Sequence, residues 1–196
     1  MKIFFIILAF LFFSCKNTYD INTLDIDGNV NVLIEIKSGT LEKWEFDKNQ
    51  NTIIRDNKNG KPRTIQYLGY PGNYGMIPNT ISLISEGGDG DPLDIFVIGE
   101  PLERGDIAKV KLIGVIKMLD NNEVDDKLIG VQNQGSIFSR VESLEQLQNE
   151  YPGVIEIFRL WLGNYKGRDG NMIYNGIYGK NEADNILKKS IINNLR

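Results

Sequence analysis

"GGDGDPLDIFVIGE", residues 87–100, is an acidic turn that runs directly into an apolar strand. Asp89, Asp91 and Asp94 fall within six positions, and the apolar run 95–98 follows at once. Carboxylates this close raise one another's pKa unless a cation compensates them. Because the chain has no histidine and a single cysteine, an all-oxygen site for a hard cation is the expected compensation. The stretch predicts a Mg²⁺ site at the start of a buried strand, with Mn²⁺ or Ca²⁺ as substitutes.

This stretch fits two other patterns in part. An EF-hand loop would begin at Asp89 and end at Glu100. Its sixth position, which requires glycine, is then Asp94, and a strand follows in place of a helix, so the pattern excludes an EF-hand. A solvated acidic turn that simply reverses the chain stays an alternative for this stretch alone.

The surrounding segments are short and rich in β-forming residues, without long helices between them. This pattern predicts that residues 30–196 form one mainly β domain, either an antiparallel barrel or a sandwich. Helices are expected only late in the chain, where Ser143 and Gln146 suggest a capping box ahead of Pro152. A buried helix is predicted near 154–162 and an amphipathic helix over about 182–195. The predicted strands are 32–36, 42–46, 52–55, 80–84, 95–98, 108–118 and 127–131.

The first residues have a separate character. Lys2 precedes an apolar run from 3 to 13, which ends at Ser14 and Cys15. Such a run spans about 16 Å as a helix, roughly half of a hydrocarbon core, so residues 1–14 are predicted to be a signal peptide. Cys15 after a small residue resembles the lipobox of bacterial lipoproteins, which implies lipidation and an exported, membrane-anchored protein on the periplasmic or cell-surface face. The alternative is an ordinary signal peptide with an incidental cysteine.

The polarity of residues 15–29 and the net charge of the chain each support a prediction. Residues 15–29 are predicted to be a lipidated cysteine followed by a flexible polar tether. The net charge of -4 gives no general attraction to nucleic acid, so nucleic acid is not an expected partner.

A second acidic group, residues 120–127, follows the predicted strand 108–118. Taken alone it fits an Asn-containing hairpin loop equally well. Lysines, an arginine and tyrosines elsewhere could neutralise a phosphate-rich ligand beside metal-binding acids, although each one singly is more often a surface residue. These residues are Lys43, Arg63, Tyr70, Tyr74, Lys127, Tyr165 and Lys166.

Together these stretches resemble the soluble family I inorganic pyrophosphatases. Residues 89–94, "DGDPLD", resemble the family's D-x-D-P-x-D signature. The stretches "IEI" (34–36), "KWE" (43–45), "YPGNYG" (70–75), "IGVIKM" (113–118) and "NYKG" (164–167) occur in the family's order. The resemblance implies an α+β, mainly β fold, a five-stranded OB-like antiparallel barrel with flanking helices. It also implies hydrolysis of pyrophosphate to two orthophosphates with several Mg²⁺ ions per site.

The resemblance further implies a role for each matched residue. Asp91 is expected to position the attacking water and accept its proton. Asn121 stands where many members have a second acid, so the metal there is expected chiefly on Asp120. The implied metal ligands are Asp89, Asp94, Asp120 and Asp125, with Glu35 and Glu45 acting directly or through water. The implied phosphate-binding set is Lys43, Arg63, Tyr70, Lys127, Tyr165 and Lys166, and Tyr74 is expected to support the acids.

A function of another class stays open at this point. A surface lipoprotein could keep the barrel and bind a metal or an anion without turnover. Asp91 argues against this alternative, because a binding protein has no use for a group placed for proton transfer. The absence of histidine removes side chains that some bacterial hexamers use at subunit contacts, so a homo-oligomer is possible but not implied.

Overall fold

A computed structural model describes residues 21–167 and 170–192. The three α-helices of these residues are α1 (Leu144–Glu150), α2 (Val154–Asn164) and α3 (Lys180–Ser190). Short 3₁₀ turns cover Ile84–Glu86 and Ile137–Arg140. The strands are β1 (Val30–Ile36), β2 (Trp44–Asp47), β3 (Thr52–Arg55), β4 (Asn57–Lys58), β5 (Lys61–Pro62), β6 (Asn73–Met76), β7 (Asp94–Ile98), β8 (Ile107–Asp120), β9 (Glu123–Val124), β10 (Lys127–Gln132) and β11 (Met172–Gly179).

Five of the strands form a closed ring. The order is β1-β6-β7-β10-β8, and β8 pairs back with β1. The predicted mainly β, OB-like arrangement is confirmed, with one addition: β7 and β10 run parallel while the other neighbours in the ring are antiparallel. The parallel register places the first residues of these two strands, Asp94 and Lys127, side by side at one end of the ring.

Close approach between β1 and β6 requires a glycine. A Cβ on Gly75 would lie 2.0 Å from the carbonyl oxygen of Leu33, closer than any real contact. Glycine at this position therefore lets the end of "YPGNYG" enter the ring as strand β6, which is not among the predicted strands.

Side chains alternate between two apolar clusters on either side of the sheet, as the pleat of a strand requires. Phe96 packs with Phe158 and Trp161 of α2, its ring 5.0 Å from that of Phe158 in an edge-to-face arrangement. Its neighbours Ile95 and Val97 belong to the other cluster, which α3 covers. Helices α1 and α2 thus pack on one side of the ring and α3 on the other.

The predicted strand at 80–84 is wrong. Thr80 makes one isolated bridge to Ile191, and a 3₁₀ turn follows. The Thr80 hydroxyl donates to the carbonyl of Ile77 (2.6 Å) and accepts from the N–H of Leu93 (3.0 Å). Its side chain therefore satisfies backbone groups locally, which competes with a strand ladder. Strand β11 was not predicted, because Asn175 and Gly176 interrupt its pattern and all of its residues are exposed or half-buried.

The part of the predicted tether that the structure describes is not free. The Thr23 hydroxyl donates to the carbonyl of Pro78 (2.9 Å), and the N–H of Asn31 donates to the carbonyl of Thr23 (2.9 Å). Thr23 and Asn29 are buried. Residues 21–29 are therefore held against the domain by hydrogen bonds. Residues 15–20, Cys15 and the predicted signal peptide lie outside the described residues.

No helix within the described part of the chain is both long enough and apolar enough to span a membrane.

Candidate active site

The candidate site is centred on a buried lysine between two carboxylates. Lys127, at the start of β10, bonds to Asp94 and to Asp125, the latter at 2.5 Å. Burial alone would lower the pKa of Lys127, but the two carboxylates outweigh burial and raise it above its ordinary value. The ammonium group stays protonated at every physiological pH and neutralises part of the acidic charge.

Tyr74 and Glu35 lie next to this group. The phenol of Tyr74 hydrogen-bonds Asp94, and burial together with the charges of Asp94 and Asp125 raises its pKa well above the ordinary value. Glu35, on β1, is buried and accepts the N–H of Phe46 at 2.7 Å. Burial and then the negative charge of Asp94 raise the pKa of Glu35 to about 8. Both side chains therefore keep their protons at neutral pH.

A second cluster joins two predicted phosphate-binding cations through an acid that the sequence analysis missed. Asp56 pairs with Lys43 (3.4 Å) and with Arg63 (3.0 Å), and Lys43 also pairs with Glu45 (2.8 Å). Burial would raise the pKa of Asp56, but its two cationic partners hold it below the ordinary value. Burial would likewise lower the pKa of Lys43, yet Glu45 and Asp56 raise it. Asp56 and Lys43 are therefore both charged at neutral pH.

The turn between β4 and β5 explains why Asp56 faces Arg63. Asn59 and Gly60 both have positive φ, 55° and 74°, as a two-residue hairpin turn requires. Asn57 then pairs with Pro62, and the next residues outward are Asp56 and Arg63. The Asn-Gly dipeptide was the signal that could have found this pair.

Helix α2 presents the next part of the site. The ring of Tyr165 stacks on Trp161 at 4.4 Å with 5° between the planes, and Tyr70 lies 4.6 Å from the same indole. Burial, and then the charges of Asp125 and Asp120 against Lys127, raise the pKa of Tyr165 to about 12. Lys166 bonds to Asp120 at the end of β8. The stacked aromatic residues thus bring the end of α2 to the acids.

Residues 87–94 supply the remaining carboxylates. Asp89, Asp94 and Asp125 line one cavity of about 560 Å³. Asp89 accepts the N–H of Asp91 at 2.8 Å, which shapes the turn. The carboxylate of Asp91 pairs instead with Lys48 (2.7 Å), from the turn between β2 and β3, and 62% of its side chain is exposed.

The donors fit a hard dication by type, since they are carboxylate oxygens. Among residues 21–167 and 170–192, however, no three acidic, histidine or cysteine side chains are arranged to hold a metal ion. The acids are paired with lysines: Asp94 and Asp125 with Lys127, and Asp120 with Lys166. Metal binding at these residues therefore requires the ion pairs to open or shift.

The sequence around this site matches one protein family over most of the chain. The sequence profile of the inorganic pyrophosphatase family matches residues 32–194. The chain belongs to this family. The mitochondrial inorganic pyrophosphatase of Saccharomyces cerevisiae is 35% identical over 155 residues, which cover 70% of this chain and 50% of that protein. The chain spans about half the length of the curated relatives it matches.

Solved structures of inorganic pyrophosphatases share the fold. The enzyme of Thermus thermophilus superimposes with a TM-score of 0.76 at 25% identity, covering 90% of this chain and 97% of its own. A truncated vacuolar soluble pyrophosphatase of Trypanosoma cruzi, solved in complex with PPi, gives a TM-score of 0.76 at 26% identity and covers 87% and 71%.

In this family member most of the predicted site residues lie in connected clusters. One cluster consists of Tyr74, Asp94, Asp125 and Lys127. Glu35 is close enough to this cluster that the charge of Asp94 raises its pKa. Lys43, Glu45 and Arg63 form a second, and Tyr70, Tyr165, Lys166 and Asp120 lie along the end of α2. Asp91 faces Lys48. The catalytic and binding roles of all these residues stay predictions.

Proposed function

We propose that the protein hydrolyses inorganic pyrophosphate to two orthophosphates in a Mg²⁺-dependent reaction. The observation that supports this most directly is the cavity shared by Asp89, Asp94 and Asp125, with Lys127 beside it. Acids that can take dications and a lysine that can take phosphate are thereby neighbours. Membership of the pyrophosphatase family and the PPi complex of the T. cruzi relative agree with this substrate.

The acids have the donor chemistry that Mg²⁺ prefers, with Mn²⁺ as a substitute. Bound there, such ions would neutralise phosphate charge and lower the pKa of water. The ligands in this proposal are Asp89, Asp94, Asp120 and Asp125, with Glu35 and Glu45 acting directly or through water.

Asp91 is the base in this proposal. Its pair with Lys48 is exposed, with 44% of the lysine and 62% of the aspartate side chain accessible. An exposed pair contributes only about 0–1 kcal/mol, so it opens readily. Asp91 then orients the attacking water by accepting its hydrogen bond and takes its proton as the oxygen bonds to phosphorus.

The cations and phenols hold the substrate. Lys43 and Arg63 approach from the hairpin side, and Lys127, Tyr165 and Lys166 from the ring and α2. Their hydrogen bonds counter the charge that builds up on the phosphoryl oxygens and on the departing orthophosphate. Tyr70 and Tyr165, protonated because their pKa values are raised, act as donors and not as bases.

The test measures orthophosphate release by residues 16–196 with Mg²⁺ and pyrophosphate. Asp91→Ala is expected to lower kcat by about 10²–10⁴-fold, the usual contribution of a general base. Asp184→Ala is the matched control, because Asp184 is an acid of α3 paired with Lys180. A parent chain that stays inactive across Mg²⁺ and Mn²⁺ concentrations would favour a binding protein without turnover.

We further propose that the protein is exported and anchored by a lipid on Cys15. Support comes from the sequence: a positively charged start, an apolar run over 3–13, and a cysteine directly after Ser14. Several acyl chains would hold the domain stably on a membrane face. Cys15→Ala is expected to move the protein to the soluble fraction with its activity intact. Unchanged membrane partitioning of this variant would contradict the lipid assignment. A homo-oligomer stays a prediction.

A further inference from the structure

A cluster of two arginines, a tryptophan and a glutamate lies behind the hairpin that carries Lys43 and Glu45. Trp44 stands between these two residues, so the alternation of the strand directs its indole to the opposite face. The guanidinium carbon of Arg104 lies 3.5 Å from the centre of the indole ring, and that of Arg55 lies 5.4 Å from it.

Glu42 completes the cluster. Its carboxylate accepts the indole N–H of Trp44 (3.0 Å) and pairs with Arg55 (2.8 Å) and Arg104 (3.7 Å). One anion thus offsets the repulsion between two guanidinium groups stacked on the same ring. Glu42, Trp44, Arg55 and Arg104 are called the arginine–tryptophan clamp below.

The clamp is bonded to the backbone of two site residues. Arg104 Nε donates to the carbonyl of Glu35 (3.2 Å), and Arg55 Nε donates to the carbonyl of Arg63 (3.2 Å). Two more site residues, Lys43 and Glu45, flank Trp44 in the sequence. Three separate segments that supply the site, around residues 35, 43–45 and 63, therefore meet at the clamp.

The hairpin needs such support. β2 and β3 form a two-stranded sheet that is separate from the ring, and a two-stranded hairpin is marginally stable on its own. Its position relative to β1 rests on contacts such as the Phe46 N–H to Glu35 bond and the clamp. A cation stacked on an indole contributes roughly 0.5–2 kcal/mol, enough to shift the position of a marginally stable hairpin.

We propose that Arg104 is a positioning residue for pyrophosphate binding. Through the clamp it fixes Lys43 and Glu45 relative to Glu35 and Arg63, without itself contacting the substrate. The inference rests on the proposed pyrophosphatase function. Because phosphate-binding groups displaced by about 1 Å can lower activity by 10²-fold, loss of the clamp should appear in substrate capture.

The first experiment compares Arg104→Ala with Arg159→Ala in the full chain. Arg159 is a matched control, since it pairs with Glu156 and lies over Tyr174 at 5.8 Å but belongs to α2. Arg104→Ala is expected to lower kcat/KM for magnesium pyrophosphate about tenfold, mainly through KM. Arg104→Lys should restore little, because an ammonium lacks the planar stacking face. Arg159→Ala should match the parent.

Two further measurements separate positioning from a general loss of structure. In a Lys43→Ala background, Arg104→Ala should cost much less than in the parent, since its effect acts through the hairpin. In the protein with EDTA, hydrogen exchange should become faster at the amides of Lys43, Phe46 and Asp56 in Arg104→Ala but not in Arg159→Ala.

The outcomes distinguish the two proposals. A parent chain without pyrophosphatase activity refutes the proposed function. An active parent in which Arg104→Ala and Arg159→Ala behave alike refutes the role of Arg104 alone. If Arg104→Ala fails to fold, Arg104→Gln, which keeps an N–H donor for the Glu35 carbonyl, takes its place. Additive effects with Lys43→Ala, or unchanged exchange in the hairpin, would also overturn the inference.

Discussion

Glu35 offers a direct test of the electrostatics of the site through its effect on stability. It is buried, and burial with the charge of Asp94 raises its pKa from 4.5 to about 8. The folded protein therefore holds a proton on Glu35 over a pH range in which the unfolded chain has lost it. Between pH 4.5 and 8 unfolding releases this proton, so the free energy of unfolding falls as pH rises.

The expected magnitude follows from the size of the pKa shift. Each pH unit between the two pKa values costs up to about 1.4 kcal/mol of stability. Glu35→Gln removes the ionisation, keeps the side-chain size, and can still accept the N–H of Phe46. Between pH 5.5 and 7.5 the advantage of Glu35→Gln over the parent is therefore expected to grow by roughly 2–3 kcal/mol.

Urea denaturation followed by circular dichroism, in EDTA and at several pH values, measures this advantage. Glu142→Gln is the control, since Glu142 is 69% exposed and paired with Lys111, and its effect should stay small and nearly constant. A difference between Glu35→Gln and the parent that does not change with pH would refute the reasoning. A parent that gains stability relative to the variant as pH rises would refute it equally.

Two other substitutions test the ion pairs of Asp56 and the close packing of β1 against β6. Asp56→Asn should raise KM and lower kcat/KM for magnesium pyrophosphate about tenfold, since Lys43 and Arg63 lose their shared anion; steady-state assays against Asp184→Asn check this, and an unchanged KM would count against it. Gly75→Ala should cost about 3 kcal/mol or more, because the new Cβ meets the Leu33 carbonyl at 2.0 Å. Gly163→Ala, where the Cβ meets nothing within 4 Å, should be neutral or stabilising in the same denaturation experiment, and equal effects of both changes would contradict the argument.

The sequence allowed the local parts of the fold to be predicted. Strands β1, β3, β7 and β10 are rich in apolar and β-branched residues. Ser143 caps α1 by accepting the N–H of Gln146 at 3.1 Å, as the capping box predicted. Strand β6 was missed because its glycine matters only through the approach of β1, which no neighbouring residue reveals.

In the candidate site, residues that are clustered in sequence were predicted, and partners from distant segments were not. Residues 89–94 and 120–127 were found because their acids are clustered in sequence, and the Asn-Asn hairpin expected within the second group is present, with positive φ at Asn121 and Asn122. Arg104 was missed, since its partners Trp44 and Glu35 belong to distant segments. The lysine partners of the acids were also beyond sequence patterns, because a surface lysine and a buried one look alike in sequence.

The single parallel pair in the ring has a consequence for how the protein is made. Asp94 and Lys127 are neighbours only because β10 lies beside β7 in the same direction, with β8 returning between them in the chain. A chain that emerges N-terminus first, from the ribosome or from an export channel, cannot join these residues until Lys127 has emerged. Until then β7 presents an unpaired apolar edge, so the interval before β10 arrives is when the chain most needs protection by chaperones.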